Sequence, residues 1–288
     1  MSEHSSKQYS PVGECIYCGC GPSPSAPLTD EHIIARGLGG KWILPKASCA
    51  VCQKATSRTE DAVLVYHFGL ARTQLGLRRR DRKSPRKTYT IRPVADGVVQ
   101  DQELAEDAAP LMMVMPFMEP PGILRGLPAS HPASWKPRLC FKPGNVFRGG
   151  QPVGNGVDVL WKFSPGELTR MLAKIAHAYA VAERGIAGFR PFLTDIIQTG
   201  KGEIPHFIGG LDERPRMSHG VWRCRGPLPF AFSLQQVTPL HRIGLLDVYS
   251  DDGAYLVAHV HLFTPYQTPL YLVVVGETRR ADSPDSKS

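Results

Sequence analysis

No uninterrupted apolar stretch of the ~18 residues that a membrane-spanning helix needs occurs anywhere in this chain. The first ten residues, Met1 to Ser10, are polar and lack the apolar segment of a secretory leader. Those two absences point to a cytoplasmic protein in a reducing compartment, away from the membrane. No internal repeat is visible, which sets aside a repeat array. Acidic residues are in deficit as well: 26 Asp and Glu stand against 34 Lys and Arg, a formal net charge of +8. What is present is 288 residues, 42% hydrophobic and 21% charged, enough apolar mass for one large domain or two ordinary ones.

A reducing compartment decides how the seven cysteines read. Four of them form two C-x-x-C pairs, Cys15/Cys18 and Cys49/Cys52, with thirty residues between Cys18 and Cys49. Each pair can sit on a tight turn, and two such turns close a tetrahedron of thiolates around Zn²⁺. Four sulfur ligands leave no open position, so this zinc is expected to be structural. The segment it staples is polar and rich in Gly and Pro, too poor in apolar residues to hold itself together. Cys20, Cys140 and Cys224 are left over and read as buried or inert thiols.

Between the pairs runs Leu28-Thr29-Asp30-Glu31-His32-Ile33-Ile34-Ala35-Arg36-Gly37-Leu38-Gly39-Gly40. A carboxylate beside a histidine, two β-branched residues and a Gly-rich turn, all framed by C-x-x-C pairs, resemble the HNH endonuclease family over about residues 14–60, and loosely to Leu77. The resemblance implies a ββα-metal module, a hairpin whose first strand bears the Glu-His pair followed by a helix. It implies Glu31 as a ligand of a divalent ion, Mg²⁺ or Mn²⁺, and His32 as the general base that takes a proton from water. It further implies a metal-side contact after the last cysteine, where this chain has Gln53 rather than Asn or His. Glutamine keeps an amide oxygen, one methylene further out. Glu60 lies seven residues past Gln53, two helical turns along the same face. Some members of the family carry a carboxylate at about that point, so the resemblance makes Glu60 a candidate second metal ligand, with a solvated helix acid as the plainer alternative. The family's middle Asn is missing from Leu44-Pro45-Lys46-Ala47-Ser48, where Ser48 is left as a hydrogen-bond donor, and the proline after Ile-Ile is Ala35.

Most of the charge excess lies just beyond. Arg78, Arg79, Arg80, Arg82, Lys83, Arg86 and Lys87 fall within ten residues that contain one acid, Asp81, a local net of +6. Such a run suits phosphate neutralisation on double-stranded DNA; a solvated linker is the plainer alternative. Two functions stay open: an HNH-type endonuclease hydrolysing DNA phosphodiester bonds, or a zinc-stapled nucleic-acid-binding protein with an inactive site. A homodimer is compatible with either.

The expected fold class is α+β: an N-terminal zinc-stapled ββα-metal module followed by a larger α+β domain ending in an antiparallel meander. The division reads as a disordered arm (1–13), the HNH-like module (14–77), the basic segment (78–87), an α+β domain without an assigned role (88–278) and a disordered tail (279–288). Glu60–Leu77 has a roughly helical pattern. Residues 88–94 and Leu111–Phe117 read as strands, 101–109 as a surface loop or short helix, and Glu119–Asn155, dense in Pro and Gly, as irregular. Ser164-Pro165-Gly166-Glu167 is a capping box opening a helix to about Gly185. Leu168, Met171, Leu172, Ile175, Ala176 and Tyr179 mark its core face, with Arg170, Lys174 and His177 largely opposite. Arg242–Ser250, Tyr255–Phe263 and Leu270–Gly276 read as strands, the first two joined by an Asp-Gly turn. His259 and His261 share a face of the middle strand and read as structural.

Overall fold

Two extended segments, β1 (Thr29–His32) and β2 (Ile43–Ser48), pair antiparallel, His32 opposite Ile43 and Thr29 opposite Ser48. Cys49 then turns the chain with extended torsions and caps α1 (Ala50–Tyr66), which a short break separates from α2 (Gly69–Gln74). The helical pattern expected from Glu60 therefore begins ten residues earlier. In this computed structural model the described residues are 9–77, 88–95, 98–99, 101–105, 112–141, 156–158, 165–211, 223–225, 239–250 and 253–278. The basic segment 78–87 and the tail 279–288 lie outside them. So do residues 1–8, but the rest of the expected disordered arm is tied down: the Val12 and Gly13 amides donate to the carbonyls of Pro45 and Lys46, and the Tyr9 hydroxyl donates to Glu183. Pairing against β2 satisfies backbone groups that would otherwise need water.

The next stretch is β. Strand β3 (Thr88–Ala95) pairs with β4 (Val98–Val99) and β5 (Gln102–Ala105), and β6 (Met112–Met118) with β7 (Trp135–Phe141) along its whole length. Two expectations are corrected. Residues 102–105 are strand rather than loop or helix, and the Pro-rich region contains the seven-residue β7. Pro116 faces Pro137 in a two-stranded sheet, where each strand has an outer edge on which a missing N–H costs no ladder bond. Strand β8 (Gly156–Asp158) adds to β3.

Helix α3 (Pro165–Arg184) opens at the proline; its expected cap, Ser164, lies outside the described residues. It stops where Gly185 takes φ 75°. Strand β9 (Phe189–Pro191), helices α4 (Thr194–Thr199) and α5 (Ile204–Phe207), and strand β10 (Ile208–Leu211) follow. After β11 (Arg223–Arg225) come β12 (His241–Ser250), β13 (Gly253–Leu262) and β14 (Leu270–Thr278). These build a six-stranded antiparallel sheet in the order β10-β14-β13-β12-β11, with β9 also paired to β14. Its central strands are apolar on both faces. Leu256, Ala258, Val260 and Leu262 join the cluster that contains α3, while Tyr255 and Val257 pack with Leu124 on the other side. Alternation of period two with both faces covered yields a nearly continuous apolar run.

Helix α3 lies between this sheet and the β1–β2–α1 unit, contacting α1 on one side and β13 and β14 on the other. One apolar cluster runs from Tyr9 through Phe68 and α3 to Val275. Trp42 stacks on Tyr179 with ring centroids 5.8 Å apart, and Phe68 meets Phe263 at 4.8 Å. The segments read from sequence as separate units thus share side-chain packing. That arrangement predicts one cooperative unfolding transition. Phe68→Ala, at a fully buried position, should cost ~3–5 kcal/mol in a urea titration while leaving the transition single; two resolved transitions would show that the packing does not couple the segments.

Candidate functional site

The thiols converge at the base of the hairpin. Cys15, Cys18, Cys20 and Cys49 bring their sulfurs within 4.8 Å of one another, the single group of this kind among the described residues. Cys18 Sγ is 3.8 Å from Cys49 Sγ and 3.4 Å from Cys20 Sγ. Zn–S bonds of ~2.3 Å in a tetrahedron require sulfur–sulfur edges of ~3.8 Å, so four of these cysteines could hold a metal ion such as zinc. Cys49 is readily ionised: burial raises its pKa, but the Cys52 amide and the thiols of Cys52, Cys18 and Cys20 outweigh that and bring it down to about 6. Its place as the N-cap of α1 is where a thiolate is favoured.

Membership of the group differs from the spacing-based set in one residue. Cys20, read as an inert leftover, belongs to it. Cys52 is buried beside it, its thiol within hydrogen-bonding reach of those of Cys49, Cys18 and Cys15 and its pKa raised chiefly by burial. The physical reason is the turn: the Cys15 carbonyl accepts the Gly19 amide and the Cys20 carbonyl the Cys15 amide, which curls Cys20 back over the pair. Two C-x-x-C pairs predict two turns, but not that a fifth thiol two residues on is folded into the first.

The Glu31-His32 pair sits where the resemblance implies, at the end of β1, with Glu31 buried and His32 half-exposed on the opposite face. The Gly-rich turn that follows has a backbone reason. Gly39 takes φ 85° to close the one-turn helix Arg36–Leu38, and a Cβ on Gly40 would fall 1.9 Å from the Ile34 carbonyl oxygen. Ser48 does not steady this turn; its hydroxyl donates to the Cys49 carbonyl. Arg72 of α2 does so instead, donating from Nε to the Gly37 carbonyl at 2.7 Å and from Nη1 to the Leu64 carbonyl at 3.1 Å.

Glu60 is brought to Glu31, as the family resemblance suggested, but the group between them belongs to α3. Lys174 Nζ lies 2.6 Å from Glu31 Oε1 and 2.7 Å from Glu60 Oε1, and donates also to the His32 carbonyl. Burial disfavours its charge, yet the two carboxylates more than offset this and hold its pKa above the usual lysine value. Glu31 is itself pushed up by burial, against the pull of Lys174. The buried Tyr17 hydroxyl is raised by burial and by the field of both carboxylates. The expectation of a basic face opposite the core of α3 is thereby corrected. Lys174 and His177 are buried, and the Arg170 guanidinium donates to the carbonyls of Ile197 and Gln198 at 2.7 and 2.5 Å. A polar stripe reads as solvent-facing from periodicity, because periodicity does not say that a second layer carries matching acceptors.

A divalent ion between Glu31 and Glu60 does not fit these residues, since both carboxylates are engaged by one ammonium. Gln53 is half-buried on the first turn of α1, and its side chain makes no hydrogen bond or ion pair among the described residues. The seven basic residues Arg78, Arg79, Arg80, Arg82, Lys83, Arg86 and Lys87 lie outside the described residues.

Three histidines, His177 buried and His241 and His261 half-buried, each donate from Nε2 to a carbonyl: His177 to Ile16, His241 to Leu38 and His261 to Thr268. Burial pushes each down to about 4 from an ordinary 6.5. On acidification the unfolded chain takes up protons that the folded chain refuses. Their stabilisation is therefore complete above about pH 6.5 and lost as pH falls towards 4. The urea midpoint should drop between pH 7 and pH 5 at fixed ionic strength; a midpoint constant over that interval would contradict histidines held neutral in the fold.

For the thiols, metal analysis should find about one zinc per chain, abolished by Cys15→Ser or Cys49→Ser. Cys20→Ser should lower zinc retention more than Cys52→Ser does; the reverse order would return the fourth ligand to Cys52. Compared with protein-family models, with curated proteins and with solved structures, the chain finds no match in any of the three.

Proposed function

We propose that this protein acts on nucleic acid through an HNH-like hairpin, hydrolysing phosphodiester bonds with His32 as general base. The observation that carries the reading is the local order of parts: a strand ending in Glu31-His32, a Gly-rich turn, a return strand into a thiol cluster, and a helix leaving directly from Cys49. His32 is half-exposed, its ring makes no hydrogen bond among the described residues, and its carbonyl is fixed by Lys174. An imidazole so placed can take a proton from an attacking water. Gln53 retains an uncommitted amide that can meet a phosphate oxygen. The basic run from Arg78 to Lys87 supplies the phosphate grip, on double-stranded DNA by preference. No step is routed through a divalent ion on Glu31 and Glu60.

A second reading has a specific observation in its favour. With both carboxylates engaged by Lys174, the same frame supports binding without cleavage. Plasmid DNA incubated with the full chain in Mg²⁺, in Mn²⁺ and in EDTA separates the two. Nicking abolished by His32→Ala, with binding retained, is the expected result. Salt-sensitive binding without nicking in any of the three removes the hydrolase and leaves the binding protein. Replacing Arg78, Arg79, Arg80 and Arg82 together should weaken binding to all sequences alike and flatten its salt dependence, by about four units of log–log slope at most. An unchanged slope would show that the run does not touch phosphate.

A further inference from the structure

Three oxygens surround the Lys174 ammonium: Glu31 Oε1 at 2.6 Å, Glu60 Oε1 at 2.7 Å, and the His32 carbonyl oxygen. An ammonium has three N–H donors and no acceptor; here one donates to the His32 carbonyl, and the charge lies within ion-pair distance of both carboxylates. The set is shut away from water, the side chains of Lys174 and Glu31 being 2% and 6% exposed and that of Glu60 19%. Two carboxylates in such a place require a cation, and a cation there requires them. A hard divalent ion would need about six oxygen ligands and keeps several waters of its own. Here the ammonium itself lies between the two carboxylates, and the buried Tyr17 hydroxyl is close enough to feel the field of both.

Nor can the lysine readily step aside. It projects from the middle of α3, where Ala173, Ile175 and Ala176 on the same turn have no exposed surface. The helix is held between α1 and the six-stranded sheet, so withdrawing the ammonium means breaking the core. Competition from a dication would also place two positive centres within a few ångströms of each other in a poorly screened site.

We infer that Lys174 is the resident cation of the Glu31–Glu60 pair, standing in the place of a divalent ion and closing both carboxylates to metal. This goes beyond the hydrolase reading and does not depend on it, because what it governs is ion binding rather than cleavage. A chain that nicks DNA and a chain that only binds it would hold the same ammonium.

Mn²⁺ is the probe, followed by its electron paramagnetic resonance signal and by thermal melting of the zinc-loaded full chain. The wild type and Glu60→Gln should bind Mn²⁺ equally, with no melting shift that depends on Glu60. Lys174→Ala vacates the space between the carboxylates. It should gain about one Mn²⁺ per chain, bound roughly tenfold or more tighter than any wild-type site, and Mn²⁺ should raise its melting temperature. That gain should vanish in Lys174→Ala combined with Glu31→Gln and Glu60→Gln, which removes the charges together and serves as the folded reference. Wild-type Mn²⁺ binding that Glu60→Gln abolishes would overturn the inference, and so would a folded Lys174→Ala that Mn²⁺ neither occupies nor stabilises. Should Lys174→Ala fail to fold without metal, refolding on addition of Mn²⁺ supports the inference. Should it not refold even then, the wild type and Glu60→Gln decide: equal Mn²⁺ binding supports the inference, and binding lost with Glu60 overturns it.

Discussion

One buried ammonium ties together the three elements from which everything near the N-terminus is built. Glu31 and the His32 carbonyl come from β1, Glu60 from α1, and Lys174 from α3. Remove the lysine and two carboxylates face each other without a counter-charge; remove a carboxylate and the ammonium loses a partner it cannot replace with water. Breaking a buried pair by deleting one member commonly costs ~3–5 kcal/mol, much of it the penalty of the charge left behind. The interaction is therefore a constraint on geometry as much as a source of stability. It fixes how far α1 and the hairpin sit from α3, and with them the orientation of the half-exposed His32.

Around that centre, beside the Tyr9–Glu183 hydrogen bond, side chains of α3, α4 and β12 reach carbonyls of the N-terminal segment. His177 donates to Ile16, Gln198 to Tyr17 and His241 to Leu38. Irregular backbone around the cysteine turn and the Gly-rich turn has carbonyls with no strand or helix partner of its own, and these side chains supply one. The thiol cluster and the ion triad thus play different parts. Sulfur draws Cys15–Cys20 and Cys49 to one point, while the triad and its neighbouring donors seat the resulting unit on the long helix.

The legible part of the site was its local part. The resemblance implied a hairpin strand bearing adjacent Glu31 and His32 with a Gly-rich turn after them, and the structure has a strand ending at His32 and a turn in which Gly39 takes φ 85°, a torsion that glycine tolerates. Helical spacing put Glu60 on the face of Gln53, and the family resemblance made it a candidate ligand. Lys174 was not, since it lies 142 residues beyond His32 and its periodicity placed it on what looked like a solvated stripe. Arg72 was missed as well: nothing in a helical run marks one arginine as the residue that will hold the Gly37 carbonyl. Cys20 could have been suspected, because an odd cysteine two residues after a C-x-x-C pair is within reach of the same turn.

By itself the sequence determined the two C-x-x-C pairs, helix α3 and the β12–β13–β14 meander, because each is written in spacing, periodicity and alternation over short windows, while the hairpin between the cysteines came from the family resemblance. It also determined the inventory of charge. Only the tertiary structure decided where that charge is used. Whether Glu31 and Glu60 face water, a metal ion or a lysine depends on which helix is laid across them, and that helix is α3, which also packs on the six-stranded sheet. Long-range layering is set by the burial of whole faces rather than by any local signal, and it turned the basic stripe of a helix into the counter-charge of a buried site.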